Sequence, residues 1–486
     1  MRLRLRPISF AAVITTGLMI TVGGVGAQSA KTGIEGRWGG ALTIMGAELP
    51  FSVTFERVGI ELRPFSVTED SLSRPKATMD IPAQGAFDLP LTSFSYENSR
   101  VHFELQAGIG LAVWDGIHEG DVIEGEFTQN GALGTFRIER DDVDEVEEEP
   151  ELLPYQQEVV TFENGQFHFE GTLTLPHGPG PYPAVVMITG SGPQDRDEQI
   201  FGFRPFKIIA DHLTRLKIAV YRYDDRGVGG STGSVSEATS SDFADDVLAA
   251  VARVGADPRI DAARIGLIGH SEGGIVAPIA ANRSKAISFA VLLAGTSVTG
   301  AEVIYEQAML IARAANASEA DIAEQTHFQQ RMFEALSRGE DLEQFRDEME
   351  ADFRQALAMA SPEEREAISD MDEFIETRVN AEIGRIQTPW FRYFLSYDPA
   401  DALRQVKIPI LALFGEMDLQ VSPAQNYELM VEALSGNDDV TIELIPGANH
   451  LFQEAVTGSP NEYPTLDKSF IPGFLEKISD WILART

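Results

Sequence analysis

The chain contains no cysteine. It can form no disulfide and carry no thiol-linked lipid anchor, so its 486 residues must hold together by burying a core. An excess of positive charge is missing too: 38 Lys and Arg face 75 Asp and Glu, a formal balance of −37. Such a chain repels nucleic acid and anionic membrane surfaces, and it does not steer polyanionic substrates. A confident membrane span is also missing, because the apolar stretch Ile8–Val22 is short and broken by Gly and Thr. No Gly-Lys-Ser/Thr follows the glycine-rich Thr189-Gly190-Ser191-Gly192-Pro193, so a phosphate cradle is not expected there. No residues show metal-ligand spacing, so neither a metal nor another cofactor is expected.

What is present divides along the chain. Arg2, Arg4 and Arg6 precede the apolar stretch, and Val25-Gly26-Ala27 is a small-residue cleavage signal. Residues 1–27 therefore read as a signal peptide, with a mature start near Gln28 and export to the periplasm or beyond. There is no Arg-Arg pair, which points to the general secretory route; an uncleaved N-terminal anchor is the alternative. Residues 33–140 hold short alternating runs such as Phe51-Ser52-Val53-Thr54-Phe55, broken by Gly, Pro and Asn, and predict a small antiparallel β domain. Residues 141–154 begin with a run of acids ending at Pro150 and predict an extended linker. An acidic metal-binding tail is the competing reading, but it lacks ligand spacing.

Residues 155–486 alternate strand-like and helix-like segments, from Tyr182–Ile188 to a closing helix marked by Phe474, Ile478 and Ile482. This predicts an α/β fold with a mainly parallel sheet covered on both faces. About 296–398 there is no strand signal, only Ala-, Glu- and Met-rich helical sequence. That stretch reads as a helical lid over the strand ends, or else as an excursion on the side of the sheet.

The chemistry is carried by Gly269-His270-Ser271-Glu272-Gly273, a Gly-x-Ser-x-Gly between an apolar strand and a small-residue helix. That context makes a nucleophile elbow, a sharp turn exposing the hydroxyl of Ser271. A serine needs a base to take its proton, usually a histidine held by a carboxylate. The chain order Ser, acid, His is met by Gly415-Glu416-Met417-Asp418 and Pro446-Gly447-Ala448-Asn449-His450, each after a strand. Asp418 is the preferred acid, with Glu416 as rival on the same loop, and His450 is the base. His102, His168 and His212 read as surface or structural residues. His270 is expected to point away from Ser271.

Oxyanion donors are expected from the backbone N–H of Glu272 and of Ser191, with Gly190 as fallback. Arg196 and Arg226 sit on charged loops after strands, where structural ion pairs or recognition of a substrate carboxylate are the two roles open to them.

These motifs, with Gly190-Ser191-Gly192-Pro193-Gln194-Asp195-Arg196-Asp197 and Asp224-Asp225-Arg226-Gly227, resemble the serine α/β-hydrolases. The resemblance covers about Val159–Thr486 and is greatest to exported bacterial carboxylesterases near the prolyl-oligopeptidase and dienelactone-hydrolase branches. It implies an α/β-hydrolase fold, a triad of Ser271, Asp418 and His450, and oxyanion donors at Ser191 and Glu272. It implies hydrolysis of small or medium carboxylic esters through an acyl-enzyme, with a small-molecule ester as partner. Trp38-Gly39-Gly40 and Gly125-Glu126-Phe127-Thr128-Gln129 resemble β domains fused ahead of such hydrolases. There is no β-propeller as in the prolyl peptidases. A peptidase, amidase or acyltransferase with the same triad is the alternative, and a non-catalytic binding protein on a hydrolase scaffold is a second one.

Overall fold

Alternation of apolar and polar residues builds the first sheet. It has nine strands: β1 (Gly36–Ile44), β2 (Ala47–Phe55), β3 (Ala77–Ile81), β4 (Ala86–Pro90), β5 (Ser93–Glu97), β6 (Arg100–Ala107), β7 (Gly110–Glu119), β8 (Val122–Gln129) and β9 (Ala132–Arg140). Every pairing is antiparallel, in the order β4-β3-β2-β1-β9-β8-β7-β6-β5. Alternate residues turn inward with period two, as Val101, Phe103 and Leu105 do on β6. The interior is aromatic: Phe103 stacks on Trp114 with ring centroids 5.2 Å apart, and Phe51, Phe127 and Phe136 pack round them.

The computed structural model describes residues 34–140, except 45–46, 56–76, 82–85, 98, 108–109 and 130–131, and residues 153–486, except 360–367 and 369. The expected signal peptide, and the expected linker up to residue 152, lie outside the described residues. The chain divides into two compact units, Leu152–Gln344 with Ile383–Thr486, and Ile8–Glu151 with Phe345–Glu382, each counted by its described residues.

The larger unit is built on eight strands, ordered β10-β11-β13-β12-β14-β15-β16-β17. An antiparallel hairpin, β10 (Tyr155–Asn164) and β11 (Phe167–Pro176), forms one edge. Gly165 and Gln166 make its two-residue turn, with Gly165 at φ +61°. The sequence reading did not separate this hairpin, although Asn164-Gly165 between alternating runs is its signal. β11 joins β13 (Ala219–Tyr223) antiparallel, and the rest is parallel: β12 (Tyr182–Ile188), β14 (Ile260–His270), β15 (Ile287–Leu293), β16 (Ile410–Gly415) and β17 (Val440–Ile445).

Both faces of the parallel strands are covered, which is why they read as near-continuous apolar runs. Val186, Leu267 and Leu292 face α2 (Ser240–Gly255) and α3 (Gly273–Arg283). Val185, Ile268 and Val291 face α1 (Pro205–Arg215) and the terminal helix Phe474–Leu483. Between β15 and β16 the described residues are helical: α4 (Gly300–Ala314), α5 (Glu319–Ser337), α6 (Arg346–Met359), α7 (Met371–Gln387), α8 (Pro389–Ser396) and α9 (Ala400–Gln405). Within the stretch expected as one lid, Phe345–Glu382 is grouped with the smaller unit. After β16 come α10 (Pro423–Leu434), β17 and α11, the terminal helix. No described helix is long and apolar enough to cross a membrane.

Candidate functional site

β14 runs between β12 and β15 and delivers Ser271 at its C-terminal end. Ser271 is left-handed, at φ +52°, and its N–H donates to the Leu293 carbonyl at 2.8 Å. The turn is tight enough to demand its glycines. A Cβ on Gly269 would lie 2.1 Å from the Gly273 carbonyl oxygen, and one on Gly273 would lie 2.3 Å from that of Ile188.

The structure joins Asp418 to His450. Asp418 Oδ2 is 2.8 Å from His450 Nδ1, and both side chains are buried. Asp418 Oδ1 accepts the N–H groups of Gln420 and Val421 at 2.7 and 2.9 Å. A carboxylate so surrounded by donors acts as an acceptor, so it favours the tautomer with the proton on His450 Nδ1. Glu416, the rival acid, accepts the Gly447 N–H at 2.9 Å and so braces the loop that carries His450. Asn449, fully buried, accepts from the N–H groups of Leu451 and Gln453 and shapes the same loop.

His270, the residue before Ser271, links the elbow to the His450 loop. His270 Nε2 donates to the His450 carbonyl oxygen at 3.0 Å, and the two rings lie 4.7 Å apart. Among the described residues no hydrogen bond joins Ser271 Oγ to the His450 ring. Such bonds are commonly long before substrate binds.

The loop after β12 lies against the elbow. A Cβ on Gly190 would come within 3.3 Å of Ser271 Cβ. The Gly190 N–H is taken by Glu198 Oε1 at 2.7 Å, which removes the fallback oxyanion donor. The N–H groups of Ser191 and Glu272 have no protein acceptor among the described residues. Asp225 fixes the loop, accepting from Thr189 Oγ1 at 2.8 Å and from the Gln194 N–H at 3.0 Å. Burial holds the Asp225 carboxyl well above the usual range; these hydrogen bonds oppose the rise, and the charges of Glu198 and Glu272 add to it.

The Glu272 side chain has its own place, which the sequence reading missed. It is buried, accepts from Ser240 Oγ at 2.6 Å, and takes the Trp390 indole N–H at 3.0 Å. Ser240 opens α2 behind a Thr239–Asp242 capping box, and Trp390 stands on α8. Burial raises the Glu272 carboxyl, against hydrogen bonds from Ser240, Trp390 and Ser191. A small cavity of about 20 Å³, room for about one water molecule, lies here, bounded by Gly190, Gly192, Tyr223, Asp225, Phe243 and Glu272.

Of the two roles open to Arg196 and Arg226, the structure displays the ion pairs. The Arg196 guanidinium is filled by Asp224 at 2.5 Å and Glu170 at 2.8 Å. Arg226 makes a buried two-point pair with Asp246 at 2.7 and 2.9 Å and lies over the Phe167 ring. Both guanidinium groups are held in ion pairs within the protein. His102, His168 and His212 bond to Asp115, Glu163 and Ser479, none of which the sequence reading placed in the site. Among the described residues no group of His, Asp and Glu is arranged to hold a metal ion.

Residues 204–454, which include Ser271, Asp418 and His450, match the model of a family described as serine aminopeptidase, S33. The esterase EstD of Thermotoga maritima is 28% identical over 283 residues, which are 58% of this chain and 57% of that protein. The chain thus spans little more than half the length of that curated relative. Among solved structures, a proline iminopeptidase of Mycobacterium smegmatis is 16% identical with a TM-score of 0.42, over 68% of this chain and 98% of that one. A dienelactone hydrolase of Anabaena variabilis is 15% identical with a TM-score of 0.38, over 68% and 99%.

Proposed function

For this chain, which belongs to the serine aminopeptidase S33 family of α/β-hydrolases, we propose the activity of a serine carboxylesterase on small or medium esters. The observation that carries the reading is the buried 2.8 Å hydrogen bond between Asp418 and His450, on loops beside the elbow of Ser271. In this reading His450 Nε2 takes the proton of Ser271 Oγ as that oxygen attacks the ester carbonyl carbon. The N–H groups of Glu272 and Ser191 then receive the oxyanion, and Asp418 stabilises the imidazolium. His450 returns the proton to the leaving alcohol as the ester C–O bond breaks. Water, activated by His450, attacks the acyl-enzyme in turn, releasing the acid and regenerating Ser271.

The test is hydrolysis of p-nitrophenyl esters of graded chain length, together with labelling by a fluorophosphonate. The parent is expected to turn over the short esters and to be labelled on Ser271. Ser271→Ala is expected to lose activity by about a millionfold, as other triads do. Ester turnover by Ser271→Ala at the parent rate rejects the reading. A parent that takes no label favours a binding protein instead.

The family's description favours a second reading, cleavage of amide bonds by the same triad. Aminoacyl p-nitroanilides test it, and competing alcohols test acyl transfer. Export, expected from residues 1–27, belongs to the same proposal; cell fractionation with N-terminal sequencing tests it.

A further inference from the structure

A second buried histidine–carboxylate pair stands beside the first. Glu198 and His270 are both buried, with Glu198 Oε1 2.9 Å from His270 Nδ1. The other ring nitrogen, Nε2, faces the His450 carbonyl, which can only accept, so Nε2 carries a proton. Glu198 Oε1 already accepts the Gly190 N–H at 2.7 Å, and His270 Nδ1 is a second donor to that oxygen. His270 is therefore read as an imidazolium paired with a carboxylate. Burial works against that charge, but the neighbouring Glu198 outweighs it and raises the imidazole above its usual range; Asp418 adds to the rise from farther off.

The pair touches the loops of Ser191, Ser271 and His450. Glu198 holds Gly190, which immediately precedes the proposed donor Ser191. His270 immediately precedes Ser271 and holds the backbone of His450. Glu198 is also in the left-handed region, at φ +52°, and its Oε2 is buried with no hydrogen-bond partner. A non-glycine residue in that conformation, with an unsatisfied buried oxygen, is a costly way to fill space.

We propose that Glu198 and His270 form a positioning pair that fixes the Ser191 N–H and the His450 loop relative to Ser271. The proposal rests on the serine-hydrolase reading above. It touches no substrate and moves no proton in the reaction; its effect is on geometry, where a misplacement of about 1 Å can cost on the order of a hundredfold in rate.

The experiment compares kcat and KM of the parent, Glu198→Ala and Glu198→Gln on a short p-nitrophenyl ester, per Ser271 titrated with fluorophosphonate, well below each variant's melting temperature. Glu198→Ala is expected to lower kcat about a hundredfold with KM within about threefold. Glu198→Gln, whose amide oxygen can still accept from both the Gly190 N–H and His270 Nδ1–H, is expected to recover at least about tenfold of that loss. A residue that only supports the fold would lower the melting temperature and leave kcat per titrated site unchanged. A fall of less than about tenfold in Glu198→Ala, or a Gln variant no better than the Ala one, overturns the proposal. Should Glu198→Ala not fold, His270→Gln is read by the same threshold. If the parent turns over no ester, the function reading fails, and the ratio of fluorophosphonate labelling rates between variant and parent still tests the pair.

Discussion

The two sheets solve the problem of burial in opposite ways. The nine-stranded sheet encloses Trp38, Phe51, Phe103, Trp114 and Phe136, and among its described residues Ser52 is the one polar residue buried. The eight-stranded sheet also has an apolar core, but at the C-terminal ends of its strands it buries Glu198, Asp224, Arg226, His270, Glu272, Asp418 and His450. Taking a charge out of water is unfavourable unless it is paired and hydrogen-bonded. The second sheet meets that condition with partners on several loops, and the buried charges collect round Ser271. Packing suffices for the first sheet; the second spends stability where chemistry is proposed.

Four measurements can break or sharpen this contrast. The largest effect is expected at Ser271→Ala, as given above. Asp418→Asn comes next: the amide leaves the geometry in place but favours the wrong imidazole tautomer, and kcat is expected to fall about ten-thousandfold. Ester hydrolysis at parent rates by that variant would remove the buried charge from any catalytic account. In the first sheet the reverse pattern is expected. Phe103→Ala should cost about 3–5 kcal/mol of stability in denaturant titration, with kcat per titrated Ser271 unchanged. A parallel fall in kcat would show that the dry sheet is not a separate matter from the reaction.

The smallest effect concerns Asp225. Its carboxyl is raised in the folded state, chiefly by burial, so folding favours its protonated form. That contribution is fully present below about pH 3.9, the unfolded value, and is lost as pH rises through the folded value. At pH 8 the buried carboxyl is therefore a liability, whether it ionises or keeps its proton. Asp225→Asn is expected to melt about 2–4 °C above the parent at pH 8, with the gap closing as pH falls toward 4. A lower melting temperature at pH 8 would mean that the charge itself holds the loop of Thr189 and Gln194.

What was legible in the sequence was local. The turn at Ser271 is written in the glycines that flank it, and Asp418 and His450 follow strands whose apolar runs are unmistakable. The parallel strands were legible because burial on both faces leaves continuous Val, Ile and Leu. What escaped depends on residues distant in the chain. Glu198 meets His270 across 72 positions, and Trp390 meets Glu272 across 118. Nothing in Gln194-Asp195-Arg196-Asp197-Glu198 distinguishes the one acid that turns inward from those that bond to arginines or backbone. The ion-pair partners of Arg196 and Arg226 were hidden for the same reason: Glu170 and Asp246 lie on β11 and α2.

One pairing in the first sheet has a consequence during synthesis. β1 lies between β2 and β9, with Trp38 opposite Arg140. At translation speeds of roughly 5–20 residues per second, the first strand waits roughly 5–20 seconds for its second neighbour to emerge. Throughout that interval one of its edges offers unpaired backbone to any other nascent chain. A ribosome stalled before Ala132 would thus release a fragment with every strand but the closing one, and with an adhesive margin where that strand belongs.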